Sequence, residues 1–140
     1  RQEKTGLKID FRAGKIEDLN EKFDIILNME VVEHVADPAL FLKSCANLLS
    51  PNGLMYMASI NRTPKSYLFA ILGAEYIMRW LPIGTHSWKS FLKPSEINKM
   101  LEPQVKLLDM TGVSYNPIKQ EFSLGADVAV NYMMLYAKPI

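Results

Sequence analysis

The stretch Phe23-Asp24-Ile25-Ile26-Leu27-Asn28-Met29-Glu30-Val31-Val32-Glu33-His34-Val35 passes from an apolar run into an acidic, histidine-bearing segment. A continuous apolar run, broken here only by Asp24, predicts a strand buried on both faces, as in a parallel sheet. Just downstream, Asp37-Pro38 predicts a helix start. An Asp side chain can accept a bond from a free first-turn amide, and a proline at the first helical position gives up no bond. Leu40, Phe41, Ser44, Cys45, Leu48 and Leu49 follow at helical spacing and predict one buried face. Ser50-Pro51-Asn52-Gly53 predicts the stop, and Leu54 to Ile60 the next strand. Strand, helix and strand with short links make the βαβ pattern of an α/β sheet.

Working outward, Leu7-Lys8-Ile9-Asp10-Phe11 alternates apolar and polar and predicts a short strand ending near Gly14. Ile16 to Glu21 predicts a loop or short helical turn. Lys93-Pro94-Ser95-Glu96 predicts a helix start, Val105 to Met110 a strand and Ala129 to Ala137 a last strand. Phe122 falls in a short strand or hairpin before that last strand. Strands without an intervening helix predict an antiparallel hairpin at the sheet edge.

The chain has 140 residues, 49% of them apolar, with a net charge of +1 and one cysteine. That size suits one domain. The apolar content excludes a disordered tail, and the lone Cys45 excludes a disulfide scaffold. Near-neutral charge argues against a nucleic-acid partner. Arg1 to Lys8 lacks the apolar core of a signal peptide.

The segment 23–35, extended by Asp37-Pro38 and by Leu48-Leu49-Ser50-Pro51-Asn52-Gly53, resembles the fourth strand, helix and fifth strand of class I S-adenosylmethionine-dependent methyltransferases. In the "L-x-P-G-G" turn of such enzymes, Asn52 replaces the first glycine. Ser59-Ile60-Asn61-Arg62-Thr63, Gly73-Ala74-Glu75-Tyr76-Ile77, Pro82-Ile83-Gly84-Thr85-His86, Tyr115-Asn116-Pro117 and Val130-Asn131-Tyr132 narrow the resemblance to the ubiquinone-biosynthesis O-methyltransferase family. It covers essentially the whole chain. The resemblance implies a partial Rossmann-like fold, a mostly parallel sheet with an antiparallel C-terminal edge hairpin. The family's glycine-rich D-x-G-C-G-x-G turn and its ribose-binding acid have no counterpart among the seven dispersed glycines. Residues 1–140 therefore read as the C-terminal part of one methyltransferase domain. The strand Leu7 to Phe11 would then lack its sequential neighbours, so chain–chain pairing, swapping or disorder is expected at that end.

Glu30, Glu33 and His34 would share one face if the backbone turns helically there. Two carboxylates and an imidazole suit a hard divalent cation such as Mg²⁺. The resemblance implies a divalent metal at this position, where coordination would acidify a phenol. His34 is alternatively a general base, because an imidazole titrates near neutrality. Both roles stay open, as does a mere capping role for Glu33 and His34. Ligands of open α/β sheets lie at the carboxyl ends of strands. The resemblance implies S-adenosylmethionine contacts at Met29 and, after the earlier strand, at Ile16 and Glu17. Cys45 reads as packing, His86 as loop structure, and Lys4, Lys8, Arg12 and Lys15 as solvated surface.

Residues 64–90 read as an inserted segment, either membrane-associating or a lid. Within it 13 of the 17 residues from Tyr67 to Ile83 are apolar. As a helix those 17 would run about 25 Å, and Glu75 and Arg79 make them too charged for a comfortable span. An in-plane anchor with Tyr76, Trp80 and Trp88 at the interface, or a lid, fits better than a crossing. The resemblance implies methyl transfer to a phenolic hydroxyl of a polyprenylated catechol-type ubiquinone precursor. It also implies a peripheral site on the cytoplasmic or matrix side of an inner membrane, and a ubiquinone-biosynthesis protein complex as partner. The alternatives are the same fold acting on another small or lipid acceptor, and a non-catalytic lipid-binding or assembly module.

Overall fold

The structure is a computed structural model, and it describes residues 6–67, 87–116 and 118–140. Five strands form one sheet in the order β1-β2-β5-β3-β4, with β1 Phe23–Met29, β2 Leu49–Ile60, β3 Lys106–Asn116, β4 Glu121–Gly125 and β5 Asn131–Ala137. β1 and β2 are parallel. β2–β5, β3–β5 and β3–β4 are antiparallel. The α/β class holds. Its parallel part among the described residues is the β1–β2 pair, and the antiparallel part reaches inward from the β3–β4 edge hairpin through β5.

Helix α1, Pro38–Leu48, starts where expected: the Asp37 carboxylate accepts from the Leu40 amide at 3.1 Å. Its buried face is Leu42, Cys45, Ala46 and Leu48, whereas Leu40 is half exposed, so the helix is rotated slightly from the expected face. Helix α2, Pro94–Leu101, carries Glu96 back to the Lys93 amide at 2.9 Å and buries Ile97 and Leu101. Both helices pack on the sheet face built from Met55, Met57, Tyr132, Met134 and Tyr136, and this is the main core. Among the described residues, no helix is long and apolar enough to cross a membrane.

Three expectations change. β1 is buried on one face only: Ile25 is 60% and Leu27 68% exposed, while Asn28, on the face toward α1, is buried. The described helices cover one side of the sheet, and a strand's alternate residues point to opposite sides. β2 begins at Leu49, five residues early, because the Ser50–Gly53 turn is absorbed as an irregularity in its ladder, between the Phe23↔Leu49 and Ile25↔Leu54 pairings. Asn52 there takes φ 65°, a left-handed conformation an Asn tolerates. Leu7 to Phe11 forms no strand, and Leu7, Ile9 and Phe11 are exposed. Isolated extended backbone has no ladder to join, so alternation alone does not make a strand. Most of the apolar segment Tyr67 to Ile83 lies outside the described residues; Tyr67 itself is partly exposed.

Candidate active site

The parallel pair β1–β2 ends in the segment that carries Glu30, Glu33 and His34. The Glu30 amide donates to Ala58 at 2.7 Å, extending the β1–β2 pairing by one residue. The backbone of Glu30 then turns left-handed, with φ 56°. A single 3₁₀ turn follows over Val32–His34, closed by the His34 amide donating to Val31 at 2.9 Å. The expected common helical face is therefore not formed. Glu30 precedes the turn, in a conformation no helix contains, and its side chain lies at the surface. Among the described residues no three His, Cys, Asp or Glu side chains gather to hold a metal ion.

Glu33 and His34 are brought together. The Glu33 side chain is 2% exposed, its Oε1 lies 3.9 Å from His34 Nε2, and the imidazole is 56% exposed at the mouth of the strands. The buried Glu33 Oε2 accepts from the Ser59 hydroxyl at 2.8 Å, near the end of β2. A buried carboxylate needs such a donor, because desolvation without one is costly. Ser59 is paired with Tyr132 across the β2–β5 ladder. The Tyr132 hydroxyl donates to the Leu92 carbonyl at 2.6 Å. Burial, with Glu33 adding its charge, holds the Tyr132 phenol well above its ordinary value. His34 thus lies beside Glu33, Glu33 is bound by Ser59, and Ser59 sits opposite Tyr132 in the β2–β5 ladder.

Ile16 and Glu17 sit in a short 3₁₀ turn, Ile16–Asp18. They line a groove of about 420 Å³ together with Gly14 and Lys15 on one side and Val35 to Asp37, Leu40 and Phe41 on the other. Met29 is outside that lining and 44% exposed at the carboxyl end of β1. Cys45 is 1% exposed, and burial pushes its thiol up to about 12, as a packing residue requires.

In the sequence, Ser59 and Tyr132 stand out only as members of two resemblance motifs and not as site residues. The signal was present: each is a hydroxyl within an apolar strand run, and such a group must find a partner when buried. At the end of β2, Arg62 pairs with Glu96 at 3.0 Å and donates to the Phe91 carbonyl at 3.3 Å. Trp88 Nε1 donates to the Thr63 carbonyl at 2.9 Å, and its ring meets Tyr67 edge-on at 6.1 Å. Thr63 and Tyr67 are therefore fastened to Trp88 beside the end of β2.

Residues 3–104 match the family model described as a methyltransferase domain. The ubiquinone biosynthesis O-methyltransferase of Bartonella bacilliformis is 53% identical over 94% of this chain and 54% of its own length. That of Parvibaculum lavamentivorans is 52% identical over 93% of this chain and 53% of its own length. The chain thus spans about half the length of the curated relatives it matches. Among solved structures, the plantazolicin methyltransferase BpumL, with a desmethylPZN analog and SAH, aligns with a TM-score of 0.66 at 16% identity, over 99% of this chain and 62% of that one. At that identity the likeness concerns the fold alone. The chain belongs to the methyltransferase-domain family, and its resemblance to the ubiquinone biosynthesis O-methyltransferases holds along nearly all of its length.

Proposed function

We propose that the protein is an S-adenosylmethionine-dependent O-methyltransferase acting on a phenolic hydroxyl of a polyprenylated, catechol-type ubiquinone precursor. The observation that carries this is 51–53% identity to three curated ubiquinone biosynthesis O-methyltransferases, over at least 93% of the chain. The acceptor oxygen attacks the sulfonium methyl carbon. The C–O bond forms as the S–C bond breaks, and the phenolic proton leaves to a base. In-line positioning carries most of such a reaction. His34 is the assigned base, since an exposed imidazole at the carboxyl end of the strands can take the phenolic proton as the oxygen becomes bonded. Glu33 faces the imidazole that takes the proton. Met29, Ile16 and Glu17 are assigned to the cofactor, on either side of the loop after β1.

The donor chemistry of Glu30, Glu33 and His34 also supports a divalent cation, Mg²⁺ by preference, which would acidify the phenol. As folded, only Glu33 and His34 are adjacent, so no step is routed through it. Tyr67 to Ile83 is assigned to peripheral lipid contact, which suits a substrate whose tail resides in a bilayer. The same reading includes a peripheral location on the cytoplasmic side of a bacterial inner membrane or the matrix side of a mitochondrial one. A ubiquinone-biosynthesis protein complex belongs to the same reading.

Calorimetric titration of S-adenosylmethionine tests the proposal, run on this chain and on a protein of the relatives' full length. A catechol with a short prenyl tail is then offered as acceptor, with and without chelator. Binding and methyl transfer by the longer protein support the reading, and loss of transfer on chelation adds the metal. No binding by either protein sinks it and favours a lipid-binding module.

A further inference from the structure

We propose that Asn61 is a specificity-determining residue of this site, whose side-chain oxygen accepts a hydrogen bond from the second hydroxyl of a catechol acceptor, the one that is not methylated. The inference deepens the catechol reading and rests on it. Among the described residues three buried side-chain oxygens have no hydrogen-bond partner: Asn28 Oδ1, Asn61 Oδ1 and Gln104 Oε1. A buried acceptor without a donor is costly. The three stand in different places. Asn28 lies in the core, where its amide reaches Cys45 Sγ at 3.8 Å. Gln104 bonds Asn47 at 3.2 Å, in the last turn of α1 just before the amino end of β2. Asn61 stands at the opposite end of β2, one residue past Ile60. Ligands of open α/β sheets lie at that carboxyl end. The Asn61 amide donates to the Val130 carbonyl at 2.7 Å, which carries the β2–β5 ladder one residue further. Alternate residues of a strand share a face, so Asn61 follows Ser59, the partner of Glu33, about 7 Å further along. Its Nδ2 donates to the Val128 carbonyl at 3.0 Å. That bond fixes the amide, because turned over it would set Oδ1 against another acceptor. Thr63 Oγ1, donating to the Ala129 carbonyl at 2.5 Å, and Lys65, paired with Asp127 at 2.8 Å, hold the segment alongside. A catechol brings two adjacent hydroxyls. One loses its proton as it is methylated. The other remains a donor throughout and needs an acceptor once the ring is buried. A ring without that hydroxyl would leave Oδ1 unpaired, which is how a polar site rejects an analogue.

The test uses a protein of the relatives' full length, with Asn61→Leu and Asn61→Ser. The leucine removes both polar atoms at similar volume. The serine keeps a donor for Val128 and removes only the orphan acceptor, so it decides the matter if the leucine variant fails to fold. The probes are a catechol with a short prenyl tail and the ring that lacks its non-reacting hydroxyl, identified from the methylated product. Calorimetry with S-adenosylhomocysteine bound reads their affinities without turnover. The parent should bind the catechol about tenfold or more tighter than the monohydroxy ring. In both variants the ratio should fall within about threefold, with the affinity for S-adenosylhomocysteine unchanged. A ratio retained in either folded variant overturns the proposal. So does a parent that binds both rings equally, because Oδ1 is then satisfied by a buried water or by another part of the chain. A parent that binds neither S-adenosylhomocysteine nor catechol sinks the methyltransferase reading and this role with it, whereas one that binds both without discriminating the rings sinks the role of Asn61 alone.

Discussion

At the scale of single residues, burial decides which polar groups can act. Cys45 looks reactive on paper, but its thiol is pushed up from its ordinary 9.0 to about 12, chiefly by burial between α1 and β1. Alkylation by iodoacetamide should therefore be negligible in the folded chain near pH 8 and fast once urea unfolds it, because only the thiolate reacts. Rapid labelling without unfolding would contradict the packing. The same shift has a sign in stability. An acid whose folded value is raised keeps its proton longer in the native state, so the unfolded chain ionises first. Stability should decline as pH rises through about 9 and stop declining on this account near 12. Urea midpoints from pH 7 to 10, compared with Cys45→Ala, check it, because the alanine variant should lose part of the slope. His34 makes the opposite case. It is over half exposed beside a buried carboxylate, which is the placement a base needs. On the proposed reading, in a protein of the relatives' full length, His34→Ala should cut methyl transfer about 100-fold or more with little change in melting temperature. Unchanged transfer would remove it from the chemistry.

At the scale of elements, the sequence was legible wherever a local rule had a local partner. Asp37-Pro38 announced α1, and the cap is there at 3.1 Å. Asp37→Ala should cost about 1 kcal/mol in urea denaturation. Lys93-Pro94-Ser95-Glu96 announced α2, where Glu96 rather than the residue before the proline makes the cap, and Phe122 the edge hairpin. Rules failed where the partner is not local. Leu7 to Phe11 has a strand's alternation and no ladder, and Glu30-x-x-Glu33-His34 has a helix's spacing but a left-handed residue at its head. The site was half legible for that reason. His34 and Glu33 could be named from spacing, but Ser59 and Tyr132 meet them only through the β1-β2-β5 order, which spacing does not encode. Gly112 is a further non-local requirement. It lies between Gly125 and Tyr132 in the ladders, and a Cβ there would fall 1.7 Å from the Asp127 carbonyl oxygen. Gly112→Ala must displace the Asp127 backbone and should cost about 3 kcal/mol or more. An alanine variant within experimental error of the parent would mean that the β4–β5 connection is looser than drawn.

At the scale of the whole molecule, the sheet has, among the described residues, one dressed face and one open one. Met57 on the dressed face is fully buried, while Ile25 and Leu27 on the open face are 60% and 68% exposed. β1 is the terminal strand, so its outer edge also carries backbone groups that no other described strand pairs. An apolar face beside a free edge is the combination that draws chains together. Two consequences separate the faces. Met57→Ala should destabilise this chain by about 2–5 kcal/mol, through lost burial and the cavity left behind. Leu27→Thr, which keeps strand preference and loses little burial, should stay within about 0.5 kcal/mol. The open face should also drive association. Sedimentation velocity from the micromolar range toward about 1 mM should show growing dimer or larger species, with bright binding of a hydrophobic dye. Ile25→Lys should suppress both, since an edge lysine opposes strand pairing and its charge breaks the apolar strip. The comparison that decides the matter is with a protein of the relatives' full length. If the added chain covers this face, the longer protein should lose the dye signal, and Leu27→Thr should become as costly there as a core substitution. If the dye signal persists at full length and Ile25→Lys still abolishes association, the open face of β1 is an interface in its own right.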